Sequence, residues 1–370
     1  MDFPLKQKIH HMKNKVKMLI PLIGFSMLPF FLIGQTDSTA VDTSSTLVVA
    51  EDQEAELAYN EGIRLYGEAN YNGAIGKFDE AISFKADFTK AFYNRGLAYL
   101  EMKKFDKAKN DFKKTLELDK SYAKAYFSLG LTHFKLQDYK QAVVNFDLAM
   151  RTGFQDADLF YLAGQSQFQL KNYEKAVESF SLALNQDNEM WEVYNDRGSA
   201  YRQQNKLDKA IADYKQAGKL NPTEALIYNN LASALRKKEK YDDAALNYGL
   251  AIKMDSDNPL YYNNRGTAYY HQKKYDRAIE DYEKAINLKA DYAYAYNNLG
   301  AAWMKKRNFD KAIEAFQKAT SIDSKYVQAW INLGSAKEMS KDIDGAVAAW
   351  KKAVVNGSKE AQQFINYYQN

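Results

Sequence analysis

The sequence predicts an all-α solenoid of helical hairpins, and three observations predict it. A small residue returns every 34 positions: Gly62, Gly96, Gly130, Gly164, Gly198, Ala232, Gly266, Gly300 and Gly334. Twelve residues after each stands an alanine, from Ala74 to Ala346, and four after that an aromatic ring, from Phe78 to Trp350. No insertion breaks the register, so 55–360 reads as one unit copied nine times (55–88, 89–122, 123–156, 157–190, 191–224, 225–258, 259–292, 293–326 and 327–360). The composition, 46% hydrophobic and 26% charged with 28 Tyr in 370 residues, is that of a folded chain. The absence of Cys excludes disulfide frameworks, thiolate metal sites and cysteine nucleophiles.

The segment 1–34 comes first. Lys6, Lys8, Lys13, Lys15 and Lys17 precede an apolar run from Met18 to Ile33, the layout of a secretory signal peptide; a start at Met12 would give the same layout in shorter form. The competing reading is a retained anchor giving membrane association through 18–33, although about 20 apolar residues are needed to span a bilayer and Pro21 and Pro29 interrupt these. Gly34 or Ala40 offers a small residue for cleavage. Either way the expectation is an exported protein with its repeats outside the cytoplasm, in a bacterial periplasm. Five Lys and one Asp in 1–34 account for the whole net charge of +4, which leaves a neutral body without the field that drives general nucleic-acid binding. Residues 35–54, rich in Ser, Thr and Asp, read as a flexible linker.

Within a unit such as 191–224, apolar residues recur at Trp191, Tyr194, Gly198 and Tyr201, then at Leu207, Ala210, Ile211, Tyr214 and Ala217. Both runs have the three-and-four spacing of an amphipathic helix, joined by a polar turn and closed by Pro222. Small residues let the paired helices approach, and the ring fills the space between hairpins. Most units lack the closing proline, having Lys120, Asn188, Ser256 or Ser324 in its place, which predicts softer helix ends there. Residues 361–370 begin another first helix but carry Tyr368 where the small residue belongs, and read as a capping helix over the last apolar face. No corresponding cap is evident before residue 55.

This pattern of small, aromatic and alanine positions resembles that of the tetratricopeptide repeat family. The resemblance implies a right-handed superhelix with a concave surface formed by the first helix of each unit, at its second, fifth, sixth, ninth, twelfth and thirteenth positions. At the sixth stand Asn60, Asn94, Ser128, Leu162, Asp196, Asn230, Asn264, Asn298 and Asn332, a broken carboxamide ladder resembling the one with which O-linked N-acetylglucosamine transferase holds peptide backbone. Each carboxamide offers a donor and an acceptor, which suits an extended chain of almost any sequence. Family-typical filling is the competing reading of the same residues. At the fifth position Tyr59, Tyr93, Phe127 and Tyr161 give way to Asn195, Asn229, Asn263 and Asn297, while the twelfth gains Arg202 and Arg236. The expected surface is aromatic in its first half and polar in its second, holding one extended partner, unless the rings pack against neighbouring units.

No chemistry competes with this. His133 and His271 stand four units apart, no phosphate-cradling or paired-histidine motif occurs, and Asp342-Ile343-Asp344-Gly345 reads as a turn rather than a calcium loop. The expectation is a non-catalytic scaffold for a peptide or protein, monomeric, with no cofactor and no metal. The rival readings are a self-associating envelope component and an accessory that presents substrate to a separate enzyme. The lysine at the fifth position used by chaperone-tail-binding members is missing from every unit.

Overall fold

The computed structural model describes residues 43–369, and nineteen helices fill them without a strand. The signal or anchor segment and the start of the linker lie outside the described residues. The chain forms two compact units, one ending at Gln155 and the other beginning at Asp156.

The first unit holds three hairpins: α1 (Thr43–Gly67) with α2 (Tyr71–Phe84), α3 (Thr89–Glu101) with α4 (Phe105–Leu118), and α5 (Ala123–Lys135) with α6 (Tyr139–Arg151). Helix α1 overturns part of the linker expectation, because it begins at Thr43 inside the segment read as flexible. Its extra turns are tied to the first hairpin by Asp52, which accepts from Lys85 Nζ at 2.9 Å, and by Ala55, fully buried among Ala81, Phe88 and Ala91.

The second unit holds six hairpins and a final helix. They are α7 (Ala157–Gln169) and α8 (Tyr173–Gln186), α9 (Trp191–Gln203) and α10 (Leu207–Leu220), α11 (Ala225–Lys237) and α12 (Tyr241–Met254). There follow α13 (Pro259–His271) and α14 (Tyr275–Leu288), α15 (Ala293–Lys305) and α16 (Phe309–Ile322), α17 (Val327–Met339) and α18 (Ile343–Val355), then α19 (Lys359–Gln369). Helix α19 buries Ala361 and Ile365, and sets Phe364 at 5.3 Å and Tyr368 at 6.0 Å from Trp350, between ring centroids. Tyr368 thus covers the last ring instead of clashing with a partner helix. Among the described residues no helix is long and apolar enough to cross a membrane.

The repeating glycine is a steric necessity. A Cβ at Gly300 would lie 2.7 Å from the Phe316 ring and one at Gly62 2.5 Å from Phe78, so the ring of the second helix rests directly on the backbone of the first. The turn inside each hairpin is a Schellman motif in which Lys103 N–H bonds Leu100 O and Lys104 N–H bonds Tyr99 O. It requires a left-handed residue, and the chain uses nine non-glycine residues for it, from Ala69 to Lys341, at φ between 58° and 72°. Side chains stop these second helices, in the unit with Pro222 as in four without a proline. Asp119, Asp187, Asn221, Asp255 and Asp323 follow the second helices in extended or near-extended conformation and accept from the N–H two residues on, at 2.8–3.4 Å. The helix ends are stopped by these Asx turns. Asp342 caps α18 by accepting from Gly345 N–H at 2.9 Å, the turn role read from its sequence.

Candidate functional site

The carboxamides are held by one another before any partner arrives. From the repeat at 225–258 onward the sixth-position side chain of each repeat donates to the fifth-position side chain of the repeat before. Asn230 Nδ2 donates to Asn195 Oδ1 at 2.9 Å, Asn264 to Asn229 at 3.0 Å, Asn298 to Asn263 at 2.9 Å and Asn332 to Asn297 at 2.8 Å. The chain of bonds has an anchor that fixes its direction. Asn195 Nδ2 donates to Asp196 Oδ1 at 3.1 Å, which leaves Asn195 Oδ1 as the acceptor for Asn230. Asp196 also accepts from Tyr161 Oη at 2.9 Å and Gln165 Nε2 at 3.0 Å. Burial and the Asp196 charge together push the Tyr161 hydroxyl far above the ordinary tyrosine range.

The first unit repeats the arrangement with rings. Asn94 Nδ2 donates to Tyr59 Oη at 3.0 Å, and the Tyr93 and Ser128 hydroxyls share a hydrogen bond at 3.3 Å. Each fifth-position ring packs on the ring of its own second helix and on the aromatic that ends the hairpin. Tyr93 meets Phe112 at 5.9 Å and Tyr122 at 4.9 Å, and Phe127 meets Phe146 at 6.1 Å and Phe154 at 5.0 Å.

This corrects the expected surface. Tyr93, Phe127, Tyr161, Asn195, Asn229, Asn263 and Asn297 are all buried, at 7% exposure or less, and all but Phe127 bond to the following repeat instead of lining an aromatic or carboxamide groove. Tyr59 is half-buried and packs in the same way on Phe78 and Phe88. The physical reason is that the fifth position points at the junction between neighbouring first helices, where a ring or a bonded carboxamide seals the contact. Asn94 and Asn230 are buried as well, both at 8%. Asn264, Asn298 and Asn332 are half-buried and Asn60 is exposed. The Oδ1 atoms of Asn264 and Asn298 take no hydrogen bond from the described residues, whereas Asn332 Oδ1 accepts from Gln328.

On the same helices stand two unusual cations. Arg202 and Arg236 are half-buried, with Nε shielded from water, and among the described residues neither guanidinium makes a hydrogen bond or ion pair. Arg64, Arg95, Arg197 and Arg265 all have carboxylate partners. Beside Arg236, His271 stacks on Tyr241 at 4.9 Å, and its basicity is lowered by burial and by the Arg236 charge. Leu260 and Tyr294 lie exposed near the beginnings of α13 and α15. The twelfth-position rings pack edge-on against the first residue of the second helix, Phe168 on Tyr173 at 5.4 Å and Tyr270 on Tyr275 at 5.6 Å.

Family models decide the class of repeat. Tetratricopeptide repeat models match 89–122, 123–151, 157–189 and 293–326, and a TPR repeat model matches 198–238, 232–273 and 266–307. The chain carries tetratricopeptide repeats. A solved structure similar to it is the C-terminal part of a TPR repeat-containing protein from Cytophaga hutchinsonii, at 18% identity and TM-score 0.54 over 64% of this chain and 98% of that one. Another is the APC/C hetero-tetramer Cut9–Hcn1, at 15% identity and TM-score 0.51 over 85% and 76%. A third, YrrB, described as a TPR protein with an unusual peptide-binding site, is 24% identical with TM-score 0.48 over 53% and 97%. No curated protein matches. The family models give a tetratricopeptide scaffold fold, typical of protein–protein interaction, and the first two likenesses share that fold.

Sequence reasoning missed the pairing of fifth with sixth positions, whose signal was a constant separation of 35 residues between two polar or aromatic side chains. It also missed Arg95–Asp111, Arg197–Asp213 and Arg265–Asp281, each 16 residues apart.

Proposed function

We propose that this protein is an exported, non-catalytic scaffold of nine tetratricopeptide repeats that holds an acidic, extended peptide segment of a partner along the first-helix face of its second unit. The observation that carries the reading is the pair of unpartnered guanidiniums at Arg202 and Arg236, on first helices of the unit whose first helices also carry carboxamides with rotamers already fixed. Preorganised donors and acceptors lose little entropy on binding, and a guanidinium free of intramolecular carboxylates is available for bidentate contact. Asn264 and Asn298 would meet the backbone, Arg202 and Arg236 the acidic side chains. A role for the two arginines in neutralising helix dipoles alone would be met as well by lysine, as at Lys305. Export rests on the basic and apolar order of residues 1–33, and a neutral body argues against nucleic acid as the partner.

A peptide array probed with the protein tests the reading. Bound peptides should be enriched in Asp and Glu, and Arg202→Gln with Arg236→Gln should abolish that enrichment while leaving the helical circular dichroism unchanged. An array whose bound peptides show no acidic preference, or one unaffected by the double substitution, refutes it. Mass spectrometry of the mature N-terminus tests export separately, with cleavage after Gly34 or Ala40 expected.

A further inference from the structure

Three repeats hold a half-buried cation of their own. Arg95, Arg197 and Arg265, at the seventh position, each make a two-pronged pair with the aspartate at the twenty-third: Arg197 at 2.8 and 2.9 Å to Asp213, Arg265 at 2.8 and 2.7 Å to Asp281, Arg95 at 2.9 and 2.6 Å to Asp111. Aromatic rings at the fourth and eleventh positions flank the guanidinium. Arg265 lies 5.7 Å from the Tyr262 centroid and 5.9 Å from Tyr269, and Arg197 5.5 Å from Tyr194 and 5.9 Å from Tyr201. Nη1 then meets the twenty-fifth residue of the preceding repeat, Asp79 at 2.6 Å from Arg95 and Ser181 at 3.1 Å from Arg197.

The repeat at 293–326 keeps the walls of this slot and lacks its filling. Tyr296 and Trp303 are in the aromatic places, but the seventh residue is Leu299 and the twenty-third is Ala315. A cavity of about 710 Å³ opens there, lined by Tyr296, Leu299, Trp303, Ala315 and, at the place equivalent to Asp79, Glu283. Glu314, Lys311 and Lys318 also line it. Lys311 Nζ sits 4.4 Å and Lys306 Nζ 5.5 Å from the Trp303 centroid. A ring of this slot serves more than one cation elsewhere, as Lys209 over Tyr201 and Arg277 over Tyr269 share their rings with the slot arginine. Glu283 is exposed and makes no ion pair or hydrogen bond among the described residues. Losing the aspartate matters too: a buried carboxylate without its arginine would be costly, whereas Leu299 and Ala315 let the slot stand open.

We propose that this cavity is a receptor for an arginine side chain of a partner protein, its guanidinium stacked between Tyr296 and Trp303 and paired with Glu283. Planarity and the two-pronged donor edge favour arginine over lysine. The slot is independent of the surface proposed above. At 100° per residue, 296, 299 and 303 lie on the side of α15 opposite 294, 298 and 305, so the failure of one site leaves the other untouched.

The test uses the full-length protein labelled with ¹⁵N, following the Trp303 indole N–H, assigned by Trp303→Phe, during titration with acetyl-Gly-Arg-Gly-amide. A saturable shift is expected, about tenfold weaker with the lysine peptide or in Glu283→Gln, as for loss of one charge-assisted contact. The double substitution Leu299→Arg with Ala315→Asp rebuilds the filled slot and should abolish the shift without lowering the thermal midpoint. No shift with the arginine peptide, an equal shift with the lysine or a tyrosine peptide, or indifference to Glu283→Gln would each overturn the proposal.

Discussion

Alanine at position 195 should damage this protein more than alanine at any other rung of the ladder. Asn195 is 2% exposed and serves two bonds, accepting from Asn230 and donating to the Asp196 carboxylate. Removing it leaves the Asn230 N–H, itself in a residue only 8% exposed, without an acceptor, and takes one donor from a buried acid. A stranded buried donor costs about 1–3 kcal/mol and a lost hydrogen bond to a charge about 1.5–3 kcal/mol, so Asn195→Ala should lose about 3 kcal/mol or more. Asn297→Ala is the matched control. It strands only Asn332, which is half-buried and can turn to water, so about 1 kcal/mol is expected. Urea unfolding followed by circular dichroism measures both, with equal slopes required before midpoints are compared. Equal losses, or a smaller loss at 195, would refute the view that the fifth position is a structural seam.

Three further outcomes follow from particular contacts. Gly334→Ala should destabilise by about 2–3 kcal/mol in the same assay, because its methyl would meet the Trp350 indole, while Gly198→Ala, 3.0 Å from Tyr214, should cost about 1 kcal/mol or less once the helix propensity of alanine is set against the crowding. Lys103→Gly and Lys171→Gly, at φ of 58° and 63°, should each raise stability by about 0.5–1 kcal/mol, read as a higher urea midpoint. Burial depresses the basicity of His133 and His271, so the unfolded chain binds their protons first: stability should be full above about pH 6.5 and fall as pH drops below it, and His133→Gln with His271→Gln should flatten that fall in thermal melts between pH 7 and 5.

The helices and their register were legible because small, alanine and aromatic positions recur at one fixed interval, and sterics alone then decide which faces meet. The fifth position was not legible. Tyr93 or Asn229 is equally suited to a groove and to a seam, and only the distance to Ser128 or Asn264 in the next repeat separates the two. The start of α1 was hidden by Thr43, Ser44 and Ser45, poor helix formers whose extension is supported from Asp52 onward by contacts with the first hairpin. The stops at Asp119 and Asp187 were not legible because the residue that ends the helix stands one place before the position of the missing proline.

Sealing the seam with polar side chains has a consequence for binding. An apolar ring at the fifth position closes the junction and leaves nothing for a ligand, whereas a carboxamide there orients the next repeat's carboxamide and leaves that residue's other amide atoms uncommitted. Tyr161 passes its single hydroxyl to Asp196, whereas the bonds from Asn229 and Asn263 present a fresh acceptor on the following repeat, at Asn264 and Asn298. The unpartnered Arg202 and Arg236 fall on this polar stretch. On the proposed peptide-binding reading, stability and recognition are coupled through the same side chains: weakening a seam at Asn229 or Asn263 should loosen the Asn264 or Asn298 rotamer and lower peptide affinity, even though the substituted residue is too deeply buried to touch the peptide.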